Sequence, residues 1–513
     1  NFDLQKIAQE EITRGVDERG KAQGFSNAAL VAIDPKTGKI LAMVGSKDFF
    51  DEEIDGQVNV TTRLRQPGSS FKPIVYAKAF SLGYTPNTVL WDVETEFTTP
   101  LGPYVPHNYD SKERGPIRLR NALQGSLNIP AVKLLALIGV ENALDFANTL
   151  GYSSFTNYAN FGLSLVLGGG EVKLLEHTSA YATFANDGVR HDPVSILKVV
   201  DAQGNMLLEW KPDEGKRVVD ENVVRTLTNV LSDNDARSYI FGAFNNLMLV
   251  DRPVAAKTGT TNDYRDAWLL GYAPSLSAGV WAGNNDNKEM NRAGGTSAAG
   301  PIWNAFMRRA LESTPVEPFP APTIPRTGKA VIDGSIPGTT VVVDRATGKL
   351  ATQFTPTSMR ETRTYAEYHE ILHYVNPTDP LGSVPDRPED NPMYLSWEKA
   401  VENWLAKKEV ETGITIVREA PPTESDDVHL PDNFPSVAIL SPQNDFELTS
   451  RELNVQIDAN ARRGVSRVEV YLDGSFLGAL RSSPYSLNVK IPNTSTRGSH
   501  TLKAVAYDDV NNV

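Results

Sequence analysis

Apolar residues recur at helical spacing from the start of the chain: Leu4, Ile7, Ala8, Ile12 and Val16 predict an amphipathic helix over 4–20. Two apolar runs follow, Ala28 to Ile33 and Ile40 to Val44, separated by Asp34-Pro35-Lys36-Thr37-Gly38, which reads as strand, turn, strand. Further helical patterns occupy 116–137, 141–150 and 174–187, and strand patterns occupy 254–258, 267–272 and 277–283. Strands at both ends with helices between them predict an α+β domain, its antiparallel sheet joining segments far apart in sequence.

The pattern changes twice more. Thr314 to Pro322 holds four prolines, Pro315, Pro318, Pro320 and Pro322, so a linker is expected there and the large domain is expected to span 1–313. Residues 314–434 read as a linker and connecting region, with a strand at 339–343, a helix at 396–407 and an acidic stretch from Glu419 to Asp432. From Pro435 short alternating strands separated by Asp-Gly, Pro and Asn turns predict a β-sandwich of immunoglobulin size over 435–513. Its strands are placed at Ser436 to Leu440, Leu453 to Ile457, Val468 to Leu472, Tyr485 to Ile491 and Thr501 to Tyr507.

At 513 residues the chain is long enough for two or three cores, and its 40% hydrophobic and 22% charged residues are ordinary for a globular protein. A net charge of -13 without clustered Lys and Arg argues against nucleic acid as a partner. The absence of cysteine removes disulfides, thiolate nucleophiles and Cys-ligated metals together. No apolar run reaches the roughly 18 residues of a membrane span. The chain opens Asn1-Phe2-Asp3 without Met and its final residues stop where a strand could continue, so a longer parent protein is expected.

The sharpest local signal is Gln66-Pro67-Gly68-Ser69-Ser70-Phe71-Lys72-Pro73. Pro73 lacks an N–H, so a helix here starts no more than about a turn earlier and carries Ser69 and Ser70 at its N-terminus. Ser69 and Lys72 are three apart and share a face, whereas Ser70 points elsewhere. Ser69 is therefore the candidate nucleophile and Lys72 the amine that takes its proton, with the positive helix end suited to a developing oxyanion. Alone, such a turn reads more simply as a capped helix with a solvated lysine. Ser126-Leu127-Asn128 and Lys257-Thr258-Gly259-Thr260 are as ordinary alone, one a helix interruption and the other a strand running into a turn.

The order of the three is what carries weight, because Ser-x-x-Lys, Ser-x-Asn and Lys-Thr-Gly follow one another in serine acyl-enzyme families. Over residues 1–313 the chain resembles the transpeptidase domain of class A penicillin-binding proteins. The resemblance extends to Val31 to Asp34, Asn108-Tyr109-Asp110, Asn128 to Val132, Leu167-Gly168-Gly169, Asp266-Ala267-Trp268 and Gly271-Tyr272. It implies a penicillin-binding, serine β-lactamase-like fold and a D,D-transpeptidase that crosslinks peptidoglycan stem peptides, is acylated by β-lactams and needs no cofactor. By the same resemblance Ser69 attacks the penultimate D-Ala carbonyl, Lys72 is the general base, and Ser126 relays a proton to the leaving nitrogen. Asn128 holds the substrate amide, Lys257 sets a positive potential, and Thr258 and Thr260 bind the terminal carboxylate. Gly259 keeps the strand edge clear for substrate, and the backbone N–H groups of Ser69 and Thr260 form the oxyanion hole.

Class A members usually carry a membrane anchor and a glycosyltransferase before this domain, so the resemblance implies both upstream, together with action at the outer face of the cytoplasmic membrane and other cell-wall proteins as partners. The sandwich resembles bacterial immunoglobulin-like domains, which bind or space. Rival readings are a D,D-carboxypeptidase, a β-lactamase, which the flanks around Lys257 fit less well, and a non-catalytic β-lactam sensor or wall-binding scaffold. His369-Glu370-Ile371-Leu372-His373 matches a zinc-protease pattern. It lies outside the catalytic segment, meets Asn376-Pro377 at once and has no companion but Glu398, so these are expected to be surface histidines and no metal site is assigned.

Overall fold

A computed structural model describes residues 1–513 apart from 101, 414–419, 492–494 and 496, so Glu419 at the head of the acidic stretch lies outside the described residues. The chain divides into two compact units, Asn1–Ile336 with His369–Thr415, and Pro337–Tyr368 with Ile416–Val513.

The first unit opens with α1 (Phe2–Gln23), longer at both ends than its apolar stripe because the Asn1 side chain accepts from Leu4 N–H and Gly24 closes the helix in a left-handed conformation. Strands β1 (Asn27–Ile33) and β2 (Ile40–Val44) join β3 (Ala255–Thr260), β4 (Asp266–Ala273) and β5 (Leu276–Gly283) in one antiparallel sheet of order β3-β4-β5-β1-β2. Ala28, Leu30 and Ala32 face one core with Ile12, Trp303 and Phe306, while Ala29, Val31 and Ile33 face another with Tyr181 and Phe184. Burial on both faces is why β1 reads as an unbroken apolar run rather than an alternating one. The first core face is covered by α1 and a helix over Ala299–Leu311, and the second by one over Leu174–Ala185.

The helix predicted over 116–137 is three elements. Gly115–Arg118 is a strand paired with Val89–Asp92, Leu119–Gln124 is a short helix, and a second helix runs from Asn128 to Ile138. Ser126 between them sits at φ +56, so the chain turns sharply there. The new helix starts because the Asn108 side chain, twenty residues upstream, accepts from the backbone N–H groups of Asn128 at 2.8 Å and Ile129 at 3.4 Å. A cap supplied from so far away leaves no local trace in the sequence.

Residues 369–413, read from sequence as part of a connecting region, pack within the first unit. Ile371, Leu372 and Trp397 are buried in its core. Lys133 and Glu370, both fully buried, form an ion pair, and the Lys133 ammonium lies 5.2 Å from the Trp397 ring. Phe319 of the Pro-rich stretch also packs here, its ring 5.8 Å from that of Tyr272.

In the second unit, a hairpin of Gly338–Asp344 and Arg360–Ala366 accompanies two three-stranded antiparallel sheets. Ser436–Ser441, Glu452–Asn460 and Tyr485–Lys490 form one sheet, and Ser475–Leu480, Arg467–Leu472 and Leu502–Tyr507 the other. Leu453, Val455, Ile457, Val468, Val470 and Ala506 form the core between them. The strand Ser475–Leu480 was not predicted; Asp473 and Gly474 at φ +49 and +80 turn the chain into it as a tight hairpin.

Candidate active site

The segment 66–73 forms a 3-10 turn over Gly68–Phe71 that continues as an α-helix over Lys72–Ser81, with Pro73 in its first turn as the missing N–H requires. The turn packs backbone to backbone against β3, the edge strand of the sheet. Gly68 sits at φ +55, and a Cβ there would lie 2.5 Å from the Thr260 carbonyl oxygen. A Cβ on Gly259 would lie 2.2 Å from Pro67 O and 2.9 Å from Ser70 Oγ. The observed constraint on Gly259 is thus the seating of the serine turn on the strand, where sequence had suggested clearance for substrate. Gly259→Ala should lower the unfolding free energy by about 1–3 kcal/mol, the usual range for overpacking, read as a reduced denaturation midpoint.

The two serines of the turn differ sharply. Ser70 is fully buried; its hydroxyl donates to Pro67 O at 2.6 Å and lies 2.9 Å from His177 Nε2. With that proton committed, Ser70 Oγ accepts from His177 Nε2–H, and His177 Nδ1 accepts from the Tyr152 hydroxyl at 2.5 Å. Burial pulls His177 down to about 3, so it stays neutral in this network. Ser69 is only half-buried.

Lys72 is fully buried, and its Nζ donates to Ser126 O at 2.6 Å, Leu127 O at 3.0 Å and Asn128 Oδ1 at 2.8 Å. Burial holds its pKa well below the ordinary lysine range, the Lys257 charge pushes it the same way, and Asp92 opposes both. Lys257 Nζ donates to Ser126 Oγ at 2.8 Å and to Thr258 O at 3.0 Å. Its pKa is pulled down to about 7, first by burial and then by Arg237. Asn128 is oriented by its own Nδ2, which donates to His107 O at 2.9 Å. On the other side of β3, Thr260 Oγ1 accepts from Gly295 N–H at 3.0 Å, leaving its hydroxyl proton to donate elsewhere.

Three segments far apart in sequence therefore meet through Lys72, Ser126, Asn128 and Lys257, while the turn that carries Ser69 is seated on Gly259 and Thr260 through Pro67, Gly68 and Ser70. The sequence named Asn108 and Tyr109 only as part of the resemblance, without a supporting role, and did not single out Asp92 or Arg237. Asn108 caps the helix at Asn128 and donates to buried Asp92 at 2.7 Å, and Asp92 is 3.5 Å from Arg114. Arg237 is a buried guanidinium that donates to Leu247 O at 3.2 Å and to Leu231 O and lowers the affinity of Lys257 for its proton. A lone Asp beside Trp91 and a lone Arg in a polar helix carry no pattern that would reveal this. Tyr109 and Tyr264 hydroxyls, 2.7 Å apart, join the loop after Asn108 to the loop after Thr260.

The His369 and His373 rings stack at 3.9 Å, with His369 Nδ1 2.9 Å from Glu398 and His373 Nδ1 3.0 Å from the Tyr394 hydroxyl. Glu370 is turned inward to Lys133, away from both rings' polar partners, so it does not occupy the water-activating position that the zinc-protease pattern requires.

Residues 28–308 match the family model of the penicillin binding protein transpeptidase domain, and residues 435–504 match that of a bacterial Ig domain. The chain is 36% identical over 327 residues to penicillin-binding protein 2D of Bacillus subtilis, covering 62% of this chain and 45% of that protein. It is 35% identical over 297 residues to penicillin-binding protein 1A of Aquifex aeolicus, covering 57% and 39%. It thus spans less than half the length of these relatives. Among solved structures, PonA1 of Mycobacterium tuberculosis in complex with penicillin V aligns over 63% of this chain and 87% of that one, with 25% identity and a TM-score of 0.54. Motif order, the meeting of the three motif segments at one edge of the sheet and these matches lead to one conclusion: the chain belongs to the penicillin binding protein transpeptidase domain family.

Proposed function

We propose that the first unit is a D,D-transpeptidase that crosslinks peptidoglycan stem peptides through an ester on Ser69, at the outer face of the cytoplasmic membrane. The observation that carries this reading is the cation pair bridged by Ser126. Lys72, three residues after Ser69, touches the Ser126 carbonyl, and Lys257 touches the Ser126 hydroxyl. Burial lowers the proton affinity of both lysines and the Lys257 charge lowers that of Lys72 further, which favours the free amine at Lys72 and the cation at Lys257.

The reaction follows from that division. Ser69 Oγ attacks the carbonyl of the penultimate D-Ala as Lys72 takes its proton, and the oxyanion is held by the backbone N–H groups of Ser69 and Thr260. Ser126 passes a proton to the departing D-Ala nitrogen, its own hydroxyl being recharged through the lysines. An amine of a second stem then attacks the ester, regenerating Ser69 and forming the crosslink. Lys257, with the hydroxyls of Thr258 and Thr260, fits the donor's terminal carboxylate, and Asn128 fits the stem amide. A β-lactam presents the same carbonyl and carboxylate, and the relative bound to penicillin V supports its entry into this pocket. The chemistry is complete without a cofactor.

Turnover of a D-Ala-D-Ala donor peptide with and without an added acceptor amine tests the reading. The expected product is a new amide whose share rises with amine concentration, at the expense of hydrolysed donor. Hydrolysis unaffected by amine would make the unit a carboxypeptidase, and an ester that forms once and persists would make it a sensor.

A further inference from the structure

The second unit contains a buried cluster that the acyl-transfer chemistry does not use. Asp344, at the end of the strand Gly338–Asp344, meets Asp426 and His429 from the segment ahead of the sandwich. All three side chains are fully buried, and one potential ligand atom from each lies within 4.8 Å of the others. His429 Nε2 is 3.1 Å from Asp344 Oδ1 and 3.9 Å from Asp426 Oδ2. Ligand atoms at about 2.0–2.2 Å from a tetrahedral zinc ion stand roughly 3.3–3.6 Å apart, a spacing these two values bracket.

The histidine tautomer sharpens the point. His429 Nδ1 faces Asn512 Oδ1 at 2.6 Å, and the Asn512 amide cannot be reversed, because its Nδ2 donates to Asp508 Oδ2 at 2.8 Å and to Val428 O at 3.1 Å. Nδ1 must therefore carry a proton, and Nε2 is the ring nitrogen aimed at the two carboxylate oxygens. An N–H fixed by an outer carbonyl while the other nitrogen points at carboxylates is the arrangement of a metal-bound histidine. The carboxylates are held in the same way. Asp344 Oδ2 accepts from Thr347 N–H at 2.7 Å and from its hydroxyl at 2.8 Å, and Asp426 accepts from the Thr355 hydroxyl at 2.6 Å and Val428 N–H at 3.0 Å. Asp508 adds a third buried carboxylate next to Asn512. Among the described residues no lysine or arginine is ion-paired with any of the three. Negative charge so enclosed calls for a cation.

We propose that Asp344, Asp426 and His429 bind one divalent cation of the zinc class, tying the hairpin of the second unit to the segment ahead of the sandwich. One nitrogen and two oxygen ligands suit zinc, and the ion would stabilise the unit rather than react. The test uses the whole chain, purified, stripped with a chelator and titrated with zinc chloride, with elemental analysis, calorimetry and thermal unfolding as readouts. One equivalent should bind, chelation should lower an unfolding transition that zinc restores, and both His429→Gln and Asp426→Asn should lose that equivalent while penicillin labelling of the first unit is unchanged. A parent chain that binds no zinc and whose unfolding ignores the chelator overturns the proposal, whether or not the variants fold. So does an equivalent retained in both variants, which would place the ion elsewhere, for example at His369 and His373.

Discussion

Ser69→Ala should take up no penicillin at all, where the parent chain gains the mass of one antibiotic molecule in intact mass spectrometry. The complementary variant, Ser70→Ala, should still be labelled. The contrast rests on what each hydroxyl is already doing. Ser70 gives its proton to Pro67 O and receives one from His177, itself held neutral and bonded to Tyr152, so its lone pairs and proton are engaged below the turn. Removing that hydroxyl leaves buried partners unsatisfied and should cost about 1–3 kcal/mol of stability without removing the nucleophile. Ser69 is the half-buried member, on the turn whose helix begins with Lys72. An adduct on Ser69→Ala would sink the assignment of the nucleophile, and its loss in Ser70→Ala at a temperature where that variant is folded would move the assignment to Ser70.

The same turn illustrates what a sequence reveals and what it withholds. Pro73 and the Ser69 to Lys72 spacing were enough to place Ser69 at a helix start, because those constraints are local. The central sheet was legible for a related reason: β1 and β5 are buried on both faces, and long apolar runs mark such strands. By contrast, the break at Ser126 depends on a cap from Asn108, and Gly259 is constrained by Pro67, almost two hundred residues away. Both are contacts across the fold, and neither alters the local pattern of apolar and polar residues. Residues 369–413 were illegible as part of the first unit for the same reason. Trp397 and Glu370 find their places against Lys133, a lone charge in a helix that otherwise reads as apolar and buried nearly all round. The Asp344, Asp426 and His429 cluster is the extreme case, three unremarkable residues that only the fold brings together.

Lys72→Ala should slow acylation by about 10³- to 10⁴-fold, the upper part of the range for losing a positioned general base, with Ser69 still present. Stopped-flow or timed mass spectrometry with penicillin would measure it, and partial recovery with a small alkylamine would separate lost base from lost fold. The pH dependence carries a further sign. In the proposed mechanism Lys72 acts as the free amine, so the rate falls as pH drops through its pKa, which burial and then Lys257 hold below the ordinary value. In the same mechanism Lys257 acts as the cation, so binding of a carboxylate-bearing substrate weakens as pH rises through about 7 in the free enzyme. The second-order acylation rate should therefore be bell-shaped, with limbs that belong to the coupled pair rather than to either lysine alone. Lys257→Ala removes the alkaline limb. It also removes a positive charge that disfavours protonation of Lys72, so the acid limb should move to higher pH. An acid limb that stays in place or moves down would mean that Lys257 does not set the basicity of Lys72, and the division of labour between the two lysines would have to be drawn differently.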